Sequence, residues 1–216
     1  MSNNNLFIKN NLHVQYGCGL YAPGSWVNFD ASPSLRIQKL PLIGRFSKKF
    51  GLPVFPSNVH YGDIVKGLPV AKESCEAVYC SHILEHLAYE DALKALRNTL
   101  GFLRSGGLFR IVVPDLNAAA RTYVDSTEET ASIKFMESTF LGYRSRPRGL
   151  ASLVRRNFGN SNHLWMWDFK GLAAQLREAG FKEVRRAQFG DSSLSCYREV
   201  ENIERWDDGV GIECMK

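Results

Sequence analysis

No apolar run in these 216 residues approaches the eighteen or so needed to cross a bilayer, so a membrane-spanning helix is excluded. Met1-Ser2-Asn3-Asn4-Asn5 has neither a basic start nor a following apolar stretch, and a secretory leader is not expected. Cysteine is scarce and odd in number, at 18, 75, 80, 196 and 214, with no C-x-x-C pair. A zinc ribbon or redox dithiol is thereby disfavoured, and free thiols in a reducing cytoplasm are the simplest reading. Acid is missing from two segments. Residues 31–62 hold Arg36, Lys39, Arg45, Lys48 and Lys49, and residues 141–167 hold Arg144, Arg146, Arg148, Arg155 and Arg156, with no Asp or Glu in either. The net charge is 27 minus 22, or +5; without those ten cations it is 17 minus 22, or −5. The positive charge therefore belongs to two segments and not to the whole surface.

What is present, 44% apolar and 12% aromatic residues, suffices for a globular core. Leu12-His13-Val14-Gln15-Tyr16 reads as a strand ending in Gly17-Cys18-Gly19, and Trp26-Val27-Asn28-Phe29 as a second ending at Asp30. The link between them leaves room for no more than a very short helix, unlike an ordinary crossover. Glu76 to Cys80 reads as a buried strand. Apolar residues at 93, 96, 100 and 103 predict an amphipathic helix stopped by Gly106-Gly107, and Leu108 to Asp115 a central strand. Asp168 is a good N-cap for a helix running to Gly180, Phe181 to Phe189 reads as a strand, and Val210 to Cys214 as another. Strands alternating with helices predict a parallel α/β sheet with helices on both faces, in a single domain of residues 1–216 with excursions at about 31–60 and 117–162.

In such a sheet, ligands bind at the carboxyl ends of the strands. Gly17-Cys18-Gly19 stands there, and glycine lets backbone approach a ligand, although tight strand exits use it for steric reasons alone. Asp30 ends the next strand, where a carboxylate can accept both hydroxyls of a ribose; its plainer role is a turn or N-cap before Ser32-Pro33. Asp63 follows a third strand and suits an adenine amino group, or is an ordinary loop aspartate.

Taken together, the stretches 17–30, Tyr61-Gly62-Asp63-Ile64-Val65-Lys66-Gly67-Leu68-Pro69, Ser81-His82-Ile83-Leu84-Glu85-His86, Arg104-Ser105-Gly106-Gly107 through Val113-Pro114-Asp115, and His163 with Trp165 and Trp167 resemble the class I S-adenosylmethionine-dependent methyltransferases of small-molecule type. The likeness spans roughly residues 12–190 and is most similar to methyltransferases found among cell-surface polysaccharide genes. It implies a Rossmann-like, seven-stranded, mostly parallel sheet with an antiparallel last strand and S-adenosyl-L-methionine as cofactor. Gly17, Cys18 and Gly19 would lie under the methionine part, Asp30 on the ribose, Asp63 with Ile64 near the adenine, and Ser81 and His82 along the other side. The family usually carries an acidic residue where this chain has Gln15, so Gln15 must meet the cofactor's ammonium group differently or through water.

His82 to His86 also fits H-x-x-E-H, a zinc-hydrolase pattern. That reading leaves Gly17 to Gly19, Asp30 and Asp63 unexplained and is set aside; no metal is expected. Transfer to a sugar-type hydroxyl wants a general base. His86 and His163 are the candidate bases and Asp115 the orienter, against plainer roles as a helix N-cap for Asp115 and packed rings for the histidines. Arg144, Arg146 and Arg148 suit an anionic acceptor. The expected partner is a small-molecule or glycan- or lipid-linked acceptor. An RNA-directed methyltransferase is disfavoured by the negative remainder of the chain and the lack of an aromatic platform. The first basic segment suits peripheral contact with a membrane surface, although burial of its apolar residues accounts for them as well.

Overall fold

A computed structural model describes residues 7, 10–40, 52–144 and 162–216. Its strands are β1 (Leu12–Tyr16), β2 (Val27–Asp30), β3 (Val59–Tyr61), β4 (Cys75–Ser81), β5 (Leu103–Pro114), β6 (Lys182–Ala187) and β7 (Gly209–Met215). They form one sheet in the order β3-β2-β1-β4-β5-β7-β6. β7 runs antiparallel to both β5 and β6, and every other pairing is parallel. The helices are α1 (Pro33–Gln38), α2 (Tyr89–Phe102), α3 (Leu116–Val124), α4 (Ala131–Ser138) and α5 (Phe169–Ala179), with one-turn helices at Leu84–His86, Ser195–Glu199 and Ile203–Arg205.

One face is covered conventionally. Ala92, Ala95, Leu96 and Phe102 of α2 and Leu172 and Leu176 of α5 pack on Val14, Tyr16, Val78, Cys80, Phe109, Ile111 and Ile212. The buried stripe of α2 lies one residue round from the expected one: Leu93 and Leu100 sit at its margin while Ala92, Ala95 and Thr99 go in, so the helix packs close to the sheet. α5 begins where Asp168 Oδ1 accepts from Gly171 N and ends at Gly180, whose φ of 109° closes the last turn. α2, by contrast, stops at Phe102 and not at Gly106-Gly107. Leu103 already pairs with Cys75, and the glycines fall inside β5 at an irregularity in that ladder.

The other face shows what the short β1–β2 link costs. With no helix there, the β6–β7 connection reaches back across the sheet, and Tyr197 and Val200 join Trp26, Ala77, Tyr79, Leu108 and Val112 in a second core. Tyr197 Oη donates to the Leu108 carbonyl at 2.8 Å. A buried ion network clamps the connection: Arg110 of β5, fully buried, contacts Glu201, Asp191 at 2.9 Å and Glu213 at 3.1 Å, with Trp206 over its guanidinium at 4.8 Å. Burial disfavours that charge, but Glu201 foremost among the carboxylates more than offsets it and raises the Arg110 pKa.

Candidate functional site

The site begins at the end of β1. Gly17 has φ +68°, a left-handed conformation that favours glycine, and a Cβ there would stand 2.0 Å from Cδ1 of Ile83 and displace that side chain. Gly19 N donates to Asp30 Oδ2 at 3.0 Å and Ser32 N to Oδ1 at 2.8 Å. These bonds fix the Asp30 carboxylate and leave lone pairs on both oxygens. Burial, then the nearby Asp30 charge, pushes the Cys18 thiol up to about 12, so it stays protonated.

Gln15, Gly17, Cys18 and Gly19 share a cavity of about 520 Å³ with Tyr79 and Ser81 of β4 and with Val200, Asn202 and Arg205 of the β6–β7 connection. The Gln15 amide nitrogen donates to the Tyr21 carbonyl at 2.8 Å and to Asn28 Oδ1 at 2.5 Å, so its oxygen is the atom left to accept a ligand's proton. Two hydroxyls here, Tyr79 Oη and Ser81 Oγ, are buried and have no hydrogen-bond partner among the described residues. Buried polar groups are seldom left so, and an orphan pair in a glycine-floored cavity fits a polar ligand such as an amino acid moiety. Tyr79, Asn202 and Arg205 carry no sequence signal for this. They reach the cavity only through the sheet register and the fold-back of the connection.

Asp63 lies two residues past β3, where its Oδ1 accepts from Val65 N at 3.0 Å and its other oxygen pairs with Lys66 at 3.4 Å. Ile64 beside it is buried. Asp115 caps α3, its Oδ1 accepting from Asn117 N at 2.9 Å, and also lines a second cavity of about 400 Å³ between α3 and α4, with Thr139, Met166 and Asp208. Met166 links this cleft to His163, whose Nδ1 lies 3.2 Å from the sulfur. His163 in turn meets His86, with ring centroids 5.0 Å apart. Burial lowers the His163 pKa, which keeps the ring neutral near pH 7. His82 differs: burial acts against its charge, but Glu85 and the Arg205 carbonyl, 2.9 Å from Nε2, more than compensate and raise its pKa.

The zinc-hydrolase reading of residues 82–86 is not favoured by this geometry. His82 has φ +54° and lies outside the single helical turn Leu84–His86, so the two histidines do not stack one turn apart. The RNA-directed reading gains nothing either. Of the ten cations in the two basic segments, only Arg36, Lys39 and Arg144 fall among the described residues. Arg36 stacks on Tyr61 at 4.6 Å and Arg144 pairs with Glu137. Arg146 and Arg148 lie outside the described residues, as does most of the second excursion.

Residues 30–111, a little over a third of the chain, match the family described as a methyltransferase domain. No curated protein sequence matches the chain. Among solved structures, an S-adenosylmethionine-dependent methyltransferase from Archaeoglobus fulgidus is 15% identical over 96% of this chain and 86% of its own, with a TM-score of 0.49. One from Thermotoga maritima, described as a possible histamine N-methyltransferase, is 17% identical over 97% and 84%, with a TM-score of 0.48. PigF with S-adenosylhomocysteine is 14% identical over 95% of this chain, with a TM-score of 0.47, and the chain spans 50% of its length. The strand order and the glycine turn define a mostly parallel α/β sheet with a cavity at its strand ends, and residues 30–111 of it match a methyltransferase domain.

Proposed function

We propose that this protein, acting as one domain in a reducing cytoplasm, methylates an oxygen of a small or glycan-like, anionic acceptor of the kind found in cell-surface polysaccharide assembly. One observation carries the reading: a glycine-floored cavity, an imidazole pair and an open cleft lie along the carboxyl ends of the adjacent strands β1, β4 and β5. When bound, the cofactor supplies an electrophilic methyl on its sulfonium and leaves as S-adenosylhomocysteine. Asp30 would take the ribose hydroxyls, the Gln15 oxygen and the Tyr79 and Ser81 hydroxyls the amino acid end, and the turn with Asp63 and Ile64 the adenine side.

His163, held neutral by burial, would accept the acceptor's O–H proton as the oxygen attacks, with the His86 ring edge-on to it. The bound cofactor would thus supply the methyl to that oxygen, with the electron pair of the sulfur–methyl bond remaining on sulfur. Asp115 would orient the acceptor through the carboxylate oxygen not used in capping. Arg144, exchanging Glu137 for the acceptor's anion, would act with Arg146 and Arg148. Incubation with methyl-labelled S-adenosylmethionine and a panel of sugar phosphates, uronic acids and their neutral counterparts tests this. Label on a hydroxyl of the anionic members is expected. Label confined to neutral sugars, to nitrogen or to RNA would overturn it.

A further inference from the structure

We propose that Glu85, His86 and His163 form a binding site for one divalent ion of the zinc, cobalt or nickel class at the carboxyl end of β4. Each offers one ligand atom, and the three atoms lie within 4.8 Å of one another. Glu85 is fully buried, and neither of its carboxylate oxygens has a hydrogen-bond partner among the described residues. An ionised carboxylate in that position costs several kcal/mol unless something positive faces it. What faces it is imidazole: His82 Nδ1 lies 3.4 Å and His86 Nε2 3.9 Å from Oε1, with His163 across the His86 ring.

The rings are also presented as ligands are. His86 Nδ1 lies 3.1 Å from the Asn162 carbonyl, which puts the ring proton on Nδ1 and the lone pair on Nε2, facing Glu85. A carbonyl behind a ligating histidine is the recurrent support of metal sites. His163 Nδ1 lies 3.2 Å from the Met166 sulfur, and its ring supplies the third ligand atom of the set. The backbone already holds the two halves together, since Leu164 N and Trp165 N both donate to the Glu85 carbonyl, at 2.7 and 3.2 Å.

Two imidazole nitrogens and one carboxylate oxygen suit zinc-like ions and not calcium or magnesium, which take oxygen shells. Tetrahedral ligands about 2.05 Å from an ion stand roughly 3.4 Å apart, so binding draws the set inward by about an ångström, within reach of side-chain rotation. Three protein ligands leave one position open. The set is not that of the H-x-x-E-H pattern: Glu85 is a ligand here, the third ligand comes from 77 residues downstream of His86, and His82 is held by Arg205. For its role, the inference rests on the methyl-transfer reading. In the ion-loaded protein an acceptor hydroxyl in the open position loses its proton to solvent under the pull of the ion, and His86 and His163 serve as ligands; in the ion-free protein they serve as bases.

Titration of the full, chelator-treated chain with Co²⁺ alone, followed by visible absorption and calorimetry, tests the site. One equivalent is expected to bind with the intense bands of a four- or five-coordinate ion. Affinity should fall on the order of 100-fold or more in His163→Ala and in the isosteric Glu85→Gln, and stay unchanged in His13→Ala. Binding of S-adenosylhomocysteine in the same samples reports folding and the cofactor site separately; if His163→Ala loses it, Glu85→Gln carries the test. No saturable Co²⁺ binding, or bands that persist in Glu85→Gln, would overturn the metal site. Co²⁺ binding without S-adenosylhomocysteine binding would instead overturn the methyl-transfer reading and leave the site standing.

Discussion

Arg110→Leu removes the one buried cation from a cluster of three carboxylates, Glu201, Glu213 and Asp191. Glu201, 6% exposed, cannot turn to water and loses its arginine, whereas Glu213 and Asp191 each lose one of two and keep Arg185. Breaking a buried ion pair from one side costs about 3–5 kcal/mol, because the remaining charge is left unpaired. For a chain of this size, 1 kcal/mol lowers the melting temperature by about 2–4 °C, so the expected drop is roughly 6–20 °C. The same change should weaken S-adenosylhomocysteine binding, since the connection that Arg110 clamps carries Val200, Asn202 and Arg205 into the glycine-floored cavity proposed to hold it. Scanning calorimetry with and without the ligand reads both effects. A double variant, Arg110→Leu with Glu201→Gln, removes the orphaned charge and should recover part of the loss. A melting temperature within about 2 °C of the parent, or a double variant no better than the single, would refute the reasoning.

Three further outcomes are expected. Gly17→Ala should lower stability by at least about 1–2 kcal/mol from the left-handed backbone alone, with more from the Ile83 overlap, and should abolish ligand stabilisation; a parent-like melt with S-adenosylhomocysteine would refute it. Burial alone would raise the Asp191 pKa, but Arg185, the Gln188 backbone and Arg110 hold it at about 2, below an unfolded value of about 3.9. The stability it contributes is therefore full above pH ~4 and lost as pH falls towards 2, so acid melts of Asp191→Asn should show a shallower slope there than the parent. The buried Cys18 thiol should alkylate far more slowly at pH 8.5 than a free thiol with pKa ~8.5, and mass spectrometry showing rapid labelling of Cys18 would contradict the protonated state.

What the sequence made legible was whatever neighbouring residues decide. The Asp168 cap, the Gly180 stop, the helix-free link between β1 and β2 and the strand ending at Asp30 all follow from local chemistry, and the structure has each of them. The extent of α2 was misread because Gly106-Gly107 is an equally good signal for a helix end and for an irregular strand, and only the pairing of Leu103 with Cys75 decides between them. Arg110 inside a central strand gave no hint of three carboxylates arriving from 81 to 103 residues away. Likewise the Glu85–His86–His163 cluster is made by a chain that leaves at α2 and returns after α4, a long-range contact that local patterning cannot carry. Gln15 was legible as a departure from the family pattern, but its bonds to Tyr21 and Asn28 depend on how the helix-free link folds.

The central claim is that the β1 turn and Asp30 hold S-adenosylmethionine. Calorimetric titration of the parent and of Asp30→Ala with S-adenosylhomocysteine addresses it most directly. The account predicts saturable one-to-one binding to the parent and loss of that binding in a variant that still melts cooperatively. No binding to the parent, or equal binding to both, would contradict it.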